Sequence, residues 1–308
     1  MQPLSGKNTV RYSISRLWNP GLAAGYSTDE RYTLITNIRL FLCVLKVRVR
    51  RFASAWGNRS IPPVLYRCRG YLWQRRVRIS GMPALNRSPA TEEEAISVQL
   101  SLRRRCETRS LIDARSIHSV AGADAAYGRE QVFGALVCMS FPDRKILDQA
   151  VGQAPLTFPY IPGLFAFREL PVLQTTFQNL GTRPDLLIAE GHGYAHPRRF
   201  GLASHLGVVL DVPTIGVAKN PLTGEVREPG PDRGSVSEII DADEVIGMAV
   251  RTKPGARPVY VSRGFGTRLG LAVEIVLGLS GDHRMPEPLV LADRLARRKR
   301  AEWMDYKP

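Results

Sequence analysis

Residues 185 to 190, DLLIAE, restrict the fold of this chain more than any other segment. Four apolar residues in a row between two acids show none of the alternation of a half-solvated strand. The segment therefore reads as a strand buried on both faces, which needs a layer above it and another below. Its surroundings supply the layers. Upstream lie three β-rich runs, SIHSVAGADAAYG (116–128), EQVFGALVCMSF (130–141) and KILDQAVGQA (145–154), divided by GR and PDR turns. A helix then carries Leu170, Leu173, Phe177 and Leu180 at helical spacing. Pro171 suits only a first turn, so that helix is predicted to start near Phe167 to Leu170. Downstream come LASHLGVVLDV, a strand PTIGVAK, a hairpin-like pair VIGMAVRT and PVYVS, and a last helix from about Thr267 to Leu279. Three strands in a row, followed by alternating helix and strand, predict an α/β domain: a mixed β-sheet flanked by helices.

The 308 residues are 44% hydrophobic, enough for a sizeable core, and carry a net charge of +15. That charge is concentrated at one end. Residues 1 to 81 hold fifteen Lys and Arg against two acids, +13, which leaves +2 for residues 82 to 308. The first 81 residues also show no sustained period. Just after Met82, the run Ser88-Pro-Ala-Thr91-Glu-Glu-Glu94 reads as a helix start, with Thr91 as N-cap and Glu94 as its capping-box partner. Ala95, Val98 and Leu102 continue its apolar face. Residues 1 to 81 are thus expected to be a poorly ordered basic extension, or sequence upstream of a natural start at Met82. The alternative is a basic arm adding phosphate contacts. Residues 82 to 308 are expected to form one catalytic domain.

The longest membrane candidate, LFLCVLKV (40–47), is far short of the ~20 apolar residues a spanning helix needs. Four cysteines without CxxC spacing argue against a zinc ribbon or a disulfide scaffold and suit the reducing cytoplasm.

Three acids draw attention. Asp124 lies inside an apolar strand, where a carboxylate is costly unless paired or metal-bound; a strand-end Asp bonded to local backbone is the plain alternative. Glu169 opens the helix after TFPYIPG, and Glu190 ends DLLIAE. If the first and fourth strands are neighbours, these acids can converge, and three carboxylates suit Mg²⁺ or Mn²⁺ better than zinc. The following loop, GHGYAHPRRFG, places His192 and His196 four apart. Two glycines and a proline deny it helical geometry, so the spacing is not a zinc signature. No GxSxG nucleophile elbow is present. Gly191, Gly193, Arg198 and Arg199 instead suggest a loop that admits a phosphate backbone, although an Arg pair can equally be a solvated face.

VAGADAAYG, PYIPGLFAFRELP, RPDLLIAEGHGYAHPRRFGLASHLG and VPTIGVAKNPLTG, in this order and at these distances, closely resemble endonuclease V. The resemblance runs from about Thr91 to Leu295. It implies an RNase H-like fold and a Mg²⁺-dependent nuclease, with Mn²⁺ as a substitute. The implied cut falls at the second phosphodiester bond 3′ to a deaminated base, chiefly the hypoxanthine of inosine. It also implies a monomer, acting on DNA or RNA. Carried over by residue, Asp124, Glu169 and Glu190 would hold metal, and Lys219 would lie near the cleaved phosphate. Tyr160, framed by Pro159, Ile161 and Pro162, would be the wedge that enters the helix beside the lesion. Gly191, His192, Gly193, His196, Arg198 and Arg199 would line the nucleic-acid interface. Two positions depart from the family pattern: Glu190 replaces an Asp, and Phe265 stands where the VS-x-G-H-like block has His. These departures define a second expectation, a weak or inactive binder of inosine-containing or distorted strands.

Overall fold

The computed structural model describes residues 89–305, so the expectations for residues 1 to 81 lie outside the described residues. Helix α1 (Glu92–Thr108) begins as its sequence dictates. Thr91 caps it by accepting a hydrogen bond from the Glu94 N–H at 3.2 Å, and the Glu94 carboxylate returns to the Ala90 N–H at 2.7 Å. Ala95 and Leu102 are buried from this helix.

Strands β1 (Ser119–Tyr127), β2 (Gln131–Ser140) and β3 (Ile146–Pro155) form an antiparallel meander at the predicted places. After helix α2 (Ala166–Asn179), β4 (Leu186–Glu190) pairs in parallel with β1, so the first and fourth strands are neighbours. Helix α3 (Leu202–Leu210) leads into β5 (Thr214–Ala218), parallel to β4. The remaining strands are β6 (Glu225–Val226), β7 (Val236–Asp241), β8 (Glu244–Val250) and β9 (Val259–Arg263). They complete one nine-stranded sheet of order β3-β2-β1-β4-β5-β9-β8-β7-β6. Helices α4 (Leu269–Leu279) and α5 (Glu287–Asp305) follow. The expected mixed sheet flanked by helices is present.

Strand β4 is buried on both faces, as its lack of alternation requires. Leu187 and Ala189 pack with Ala121, Ala123, Leu170 and Leu206 under α2 and α3. Leu186 and Ile188 pack with Val120, Ile215, Ile275 and Leu289 on the opposite side. Each fully buried aliphatic contributes ~1.5–3 kcal/mol relative to exposure, which makes this central strand the anchor of both layers.

Three features differ from expectation. Helix α2 begins at Ala166, one residue early, which puts Pro171 in its second turn. The proline offers no N–H to the Phe167 carbonyl. The helix opens instead on tight bonds, Phe167 N–H to the Leu164 carbonyl at 3.1 Å and Arg168 N–H to the Phe165 carbonyl at 3.0 Å. The short outer strands β6 and β7 have mostly half-exposed or exposed residues, too weak a pattern to register as strands. Most consequential is α5: the chain does not finish at the helix ending in Leu279. Leu289, Ala292 and Ala296 bury one stripe of α5 against the sheet.

Gly122 makes that docking possible. A Cβ on Gly122 would run into the Pro288 carbonyl and the Leu289 backbone nitrogen at the start of α5. Gly122→Ala must therefore lift the helix or bend the strand, at a cost of roughly 1–3 kcal/mol. The variant is expected to lower the thermal unfolding midpoint by ~5 °C; an unchanged midpoint would mean that α5 can slide without loss.

Candidate active site

The register of the parallel strands brings two carboxylates side by side. Ala123 on β1 pairs with Ala189 on β4, so Asp124 and Glu190 follow at the same level. Side chains alternate across a strand. Asp124 continues the face of Val120 and Gly122, and Glu190 that of Leu186 and Ile188; both belong to the side covered by α5. Glu169, in the first turn of α2, reaches the same region from the other layer. Asp124 and Glu169 are 4% and 3% exposed, which is exceptional for carboxyl groups.

The bonding of these acids is incomplete. One oxygen of Asp124 accepts from the Ala125 N–H at 2.7 Å. Glu169 Oε1 accepts from the Tyr127 hydroxyl at 2.9 Å, while its Oε2 is buried with no hydrogen-bond partner. Glu190 Oε1 is 2.9 Å from Lys219 Nζ, just beyond the end of β5. Burial, with Glu190 second, pushes the Asp124 carboxyl up from 3.8 to about 8. Burial and then the Asp124 charge push Glu169 well above the ordinary range. For Lys219, burial lowers the ammonium pKa, but its bond to Glu190 and the Asp124 charge outweigh that and leave it raised.

These residues fit a divalent cation. The donors are hard carboxylate oxygens, the buried Glu169 Oε2 lacks a partner, and the upward pKa shifts of Asp124 and Glu169 show that the one half-exposed lysine does not supply the positive charge their ionised forms require. Among the described residues no three His, Cys, Asp or Glu side chains are placed together as a ready set of metal ligands. Glu190 is turned to Lys219 instead.

Sequence reasoning missed Asp293. From α5 its charge raises the pKa of both Asp124 and Lys219, and Arg297 holds its carboxylate at 2.7 Å. The signal was present in PEPLVLADRLA, where Pro288 opens a helix and Leu289, Ala292 and Ala296 mark its buried stripe. Tyr127 and Arg168 also escaped notice; the Arg168 guanidinium lies over the Tyr127 ring at 5.0 Å and the Tyr160 ring at 5.9 Å.

The segment bearing Tyr160 stands out from the surface. Tyr160 is 67% exposed, with Pro159 and Pro162 also exposed and Ile161 half-buried. The loop after β4 behaves differently from a phosphate-binding loop at several points. His192 meets the Asn220 carbonyl at 3.0 Å beside Lys219, and burial lowers its pKa. His196, 3% exposed, meets the Gly163 carbonyl at 2.9 Å, and burial lowers its pKa to about 4. The two histidines thus serve different partners and do not converge as zinc ligands would. Arg199 is occupied by Asp241 at 2.7 Å and Glu244 at 2.9 Å, and Arg198 by Gln99 at 2.6 Å and the Gly163 carbonyl at 2.7 Å. A Cβ on Gly193 would strike the Arg263 carbonyl, so this glycine serves backbone packing. Gly191 has φ +150° and packs against Leu202.

Phe265 lies far from the carboxylates. It is buried with Leu102, Phe200 and Val208, and its carbonyl accepts from the Thr214 N–H at the start of β5. Lys219 is five residues along, about 16 Å at strand spacing. The residue at this position cannot serve a metal at the acidic end of the sheet. Phe265 therefore gives no support to an inactive binder.

The family model for endonuclease V matches residues 100–294. The endonuclease V of Roseiflexus sp. (strain RS-1) is 44% identical over 210 residues, covering 68% of this chain and 93% of that protein. A solved endonuclease V from Streptomyces avermitilis is 41% identical with a TM-score of 0.67, covering 70% of this chain and 96% of its own. A Ciona intestinalis endonuclease V is 29% identical with a TM-score of 0.60, covering 68% of this chain and 98% of its own. It was solved in complex with a 24mer DNA containing an inosine followed by a ribo-adenosine.

The acidic cluster carries a test in the absence of any substrate. The Asp124 pKa is raised on folding, so its stabilising contribution is complete below about 4 and is lost as pH rises towards 8. In EDTA, Asp124→Asn is therefore expected to unfold several degrees above wild type at pH 8, with the difference narrowing towards pH 5. Added Mg²⁺ should raise the wild-type midpoint at pH 8 and leave the variant unmoved. A variant no more stable than wild type at pH 8 would show that the buried charge is already compensated.

Proposed function

The chain belongs to the endonuclease V family, and from that premise we propose how its residues make it a metal-dependent nuclease acting at deaminated bases. It is a hydrolase that nicks a strand internally. We place the cut at the second phosphodiester bond 3′ to deoxyinosine or inosine. The partner is DNA carrying the deaminated base, or RNA with the same base, bound by a monomer in the cytoplasm. The free Cys106 and Cys138 suit that compartment, and no helix among the described residues is long and apolar enough to cross a membrane.

The observation that carries the chemistry is the pair of buried carboxyls, Asp124 and Glu169, with the half-buried Glu190 beside them, its Oε1 on Lys219. These residues would hold Mg²⁺, or Mn²⁺ in its place, which when bound supplies a Lewis acid and a hydroxide-like nucleophile at neutral pH. Tyr127 orients Glu169 by its hydroxyl. Lys219 is half-exposed at the mouth of the cluster and presents its ammonium where negative charge grows on phosphate oxygens. Asp293, held by Arg297, adds a further acid on the α5 side.

Tyr160 supplies the other half of the task. An exposed aromatic on a double-proline loop fills the space left by a nucleotide drawn from the stack, which offsets an unstacking cost of a few kcal/mol. Its ring lies within 6.5 Å of Phe165, edge-on, beside the start of α2 that carries Glu169. On this reading, lesion recognition and hydrolysis fall to neighbouring parts of the chain, which the Tyr160–Phe165 contact supports.

The test is nicking of a labelled oligonucleotide with one inosine. Wild type is expected to give a single product, cut at the second bond 3′ to the inosine. Asp124→Ala should abolish the product, and Lys219→Ala should slow its formation by about 10²-fold or more. Retention of wild-type rates by both variants would remove the cluster from the reaction.

A further inference from the structure

Tyr160 protrudes, yet the segment bearing it is gripped at both ends by its carbonyls. At one end the Phe158 carbonyl accepts from Arg168 Nη1 at 2.9 Å. At the other the Gly163 carbonyl meets three side-chain nitrogens: Gln99 Nε2 at 3.0 Å, His196 Nε2 at 2.9 Å and Arg198 Nη2 at 2.7 Å. A carbonyl has two lone pairs, so three side-chain donors saturate this oxygen and share it, and the shortest bond, from the guanidinium, is the charge-assisted one.

The partners are themselves locked. Gln99 on α1 is fully buried, and each end of its amide is committed: Oε1 accepts from Arg198 Nε at 2.6 Å, and Nε2 also donates to the Phe200 carbonyl at 3.2 Å. His196 Nδ1 accepts from the Arg198 N–H at 3.1 Å, which leaves Nε2 to donate to Gly163. Gly163 has φ +77°, and a Cβ there would press on Arg198 Nη2, so the turn accommodates this fastening only as glycine. The bonds join α1, the loop after β4 and the wedge segment.

We infer that Gln99, His196 and Arg198 are positioning residues for lesion recognition: they hold the Gly163 carbonyl so that Tyr160 meets the strand already formed. This rests on the wedge reading of Tyr160. A loop that must order itself on contact loses part of its interaction energy to ordering, whereas a pre-formed one applies it to opening the stack. The fastening therefore matters where a stacked base must be displaced, and little where the base is already out of the helix.

The experiment compares single-turnover nicking by full-length protein on two substrates. One carries inosine paired within a duplex; the other carries the same inosine in an unpaired bulge. Gln99→Met removes the amide at similar length. Arg198→Lys, at a half-exposed site, keeps the charge but loses the forked geometry, and it decides the matter should Gln99→Met fail to fold. Both are expected to lose about tenfold on the paired substrate and no more than about twofold on the bulge, as is Tyr160→Ala. Equal losses on both substrates would reduce the clamp to general stability and overturn the inference. So would no loss in the clamp variants while Tyr160→Ala keeps its paired-specific defect. A Tyr160→Ala protein without that defect would instead remove the wedge reading, and the clamp with it.

Discussion

The structure depends on carboxyl groups held out of water, where their ionised forms repel one another. Asp124 and Glu169 are almost fully buried, Glu190 stands beside them, and Lys219 bonds the last of the three. Isolated, each buried carboxylate costs several kcal/mol. The sheet carries that load because β4 buries apolar side chains into both layers and β1 is clamped between β2 and β4. The same register that gives β4 its stability sets Asp124 and Glu190 at one level. Architecture and reactivity are therefore consequences of one strand pairing, and a divalent cation relieves the repulsion that the pairing creates.

Much of this was legible in the residues. An unalternating DLLIAE required two covering layers, and an acid at its end, with another inside VAGADAAYG, pointed to convergence if the two strands were neighbours; β1 and β4 are. What remained hidden has physical causes. Residues in β6 and β7 lie at an exposed edge, where alternation is weak. Helix α5 buries only a narrow stripe, Leu289, Ala292 and Ala296, two of them small, in an otherwise charged sequence. Missing that helix meant missing Asp293. The start of α2 was displaced by one residue because Pro171 can stand one turn deeper when i→i−3 bonds open the helix.

The loop after β4 shows where residue type misleads. Glycines, histidines and paired arginines look like a phosphate cradle, yet several of them fasten protein to protein. Arg199 binds the turn between β7 and β8 through Asp241 and Glu244. Arg198 and His196 bind the Tyr160 segment at Gly163. Phe265 misleads in the opposite sense: it stands where a His was expected for the chemistry, and it fills a hydrophobic cluster at the other end of β5. In both cases the partner, visible only in three dimensions, decides the role.

The most direct measurement is Mn²⁺ binding to wild type and to Asp124→Asn at neutral pH, by calorimetry and without nucleic acid. The account predicts saturable binding in wild type that Asp124→Asn weakens by at least about tenfold, since one of the converging charges is gone. Binding of equal strength in both proteins would contradict this, because the converging carboxylates of β1, β4 and α2 would then not form the cation site.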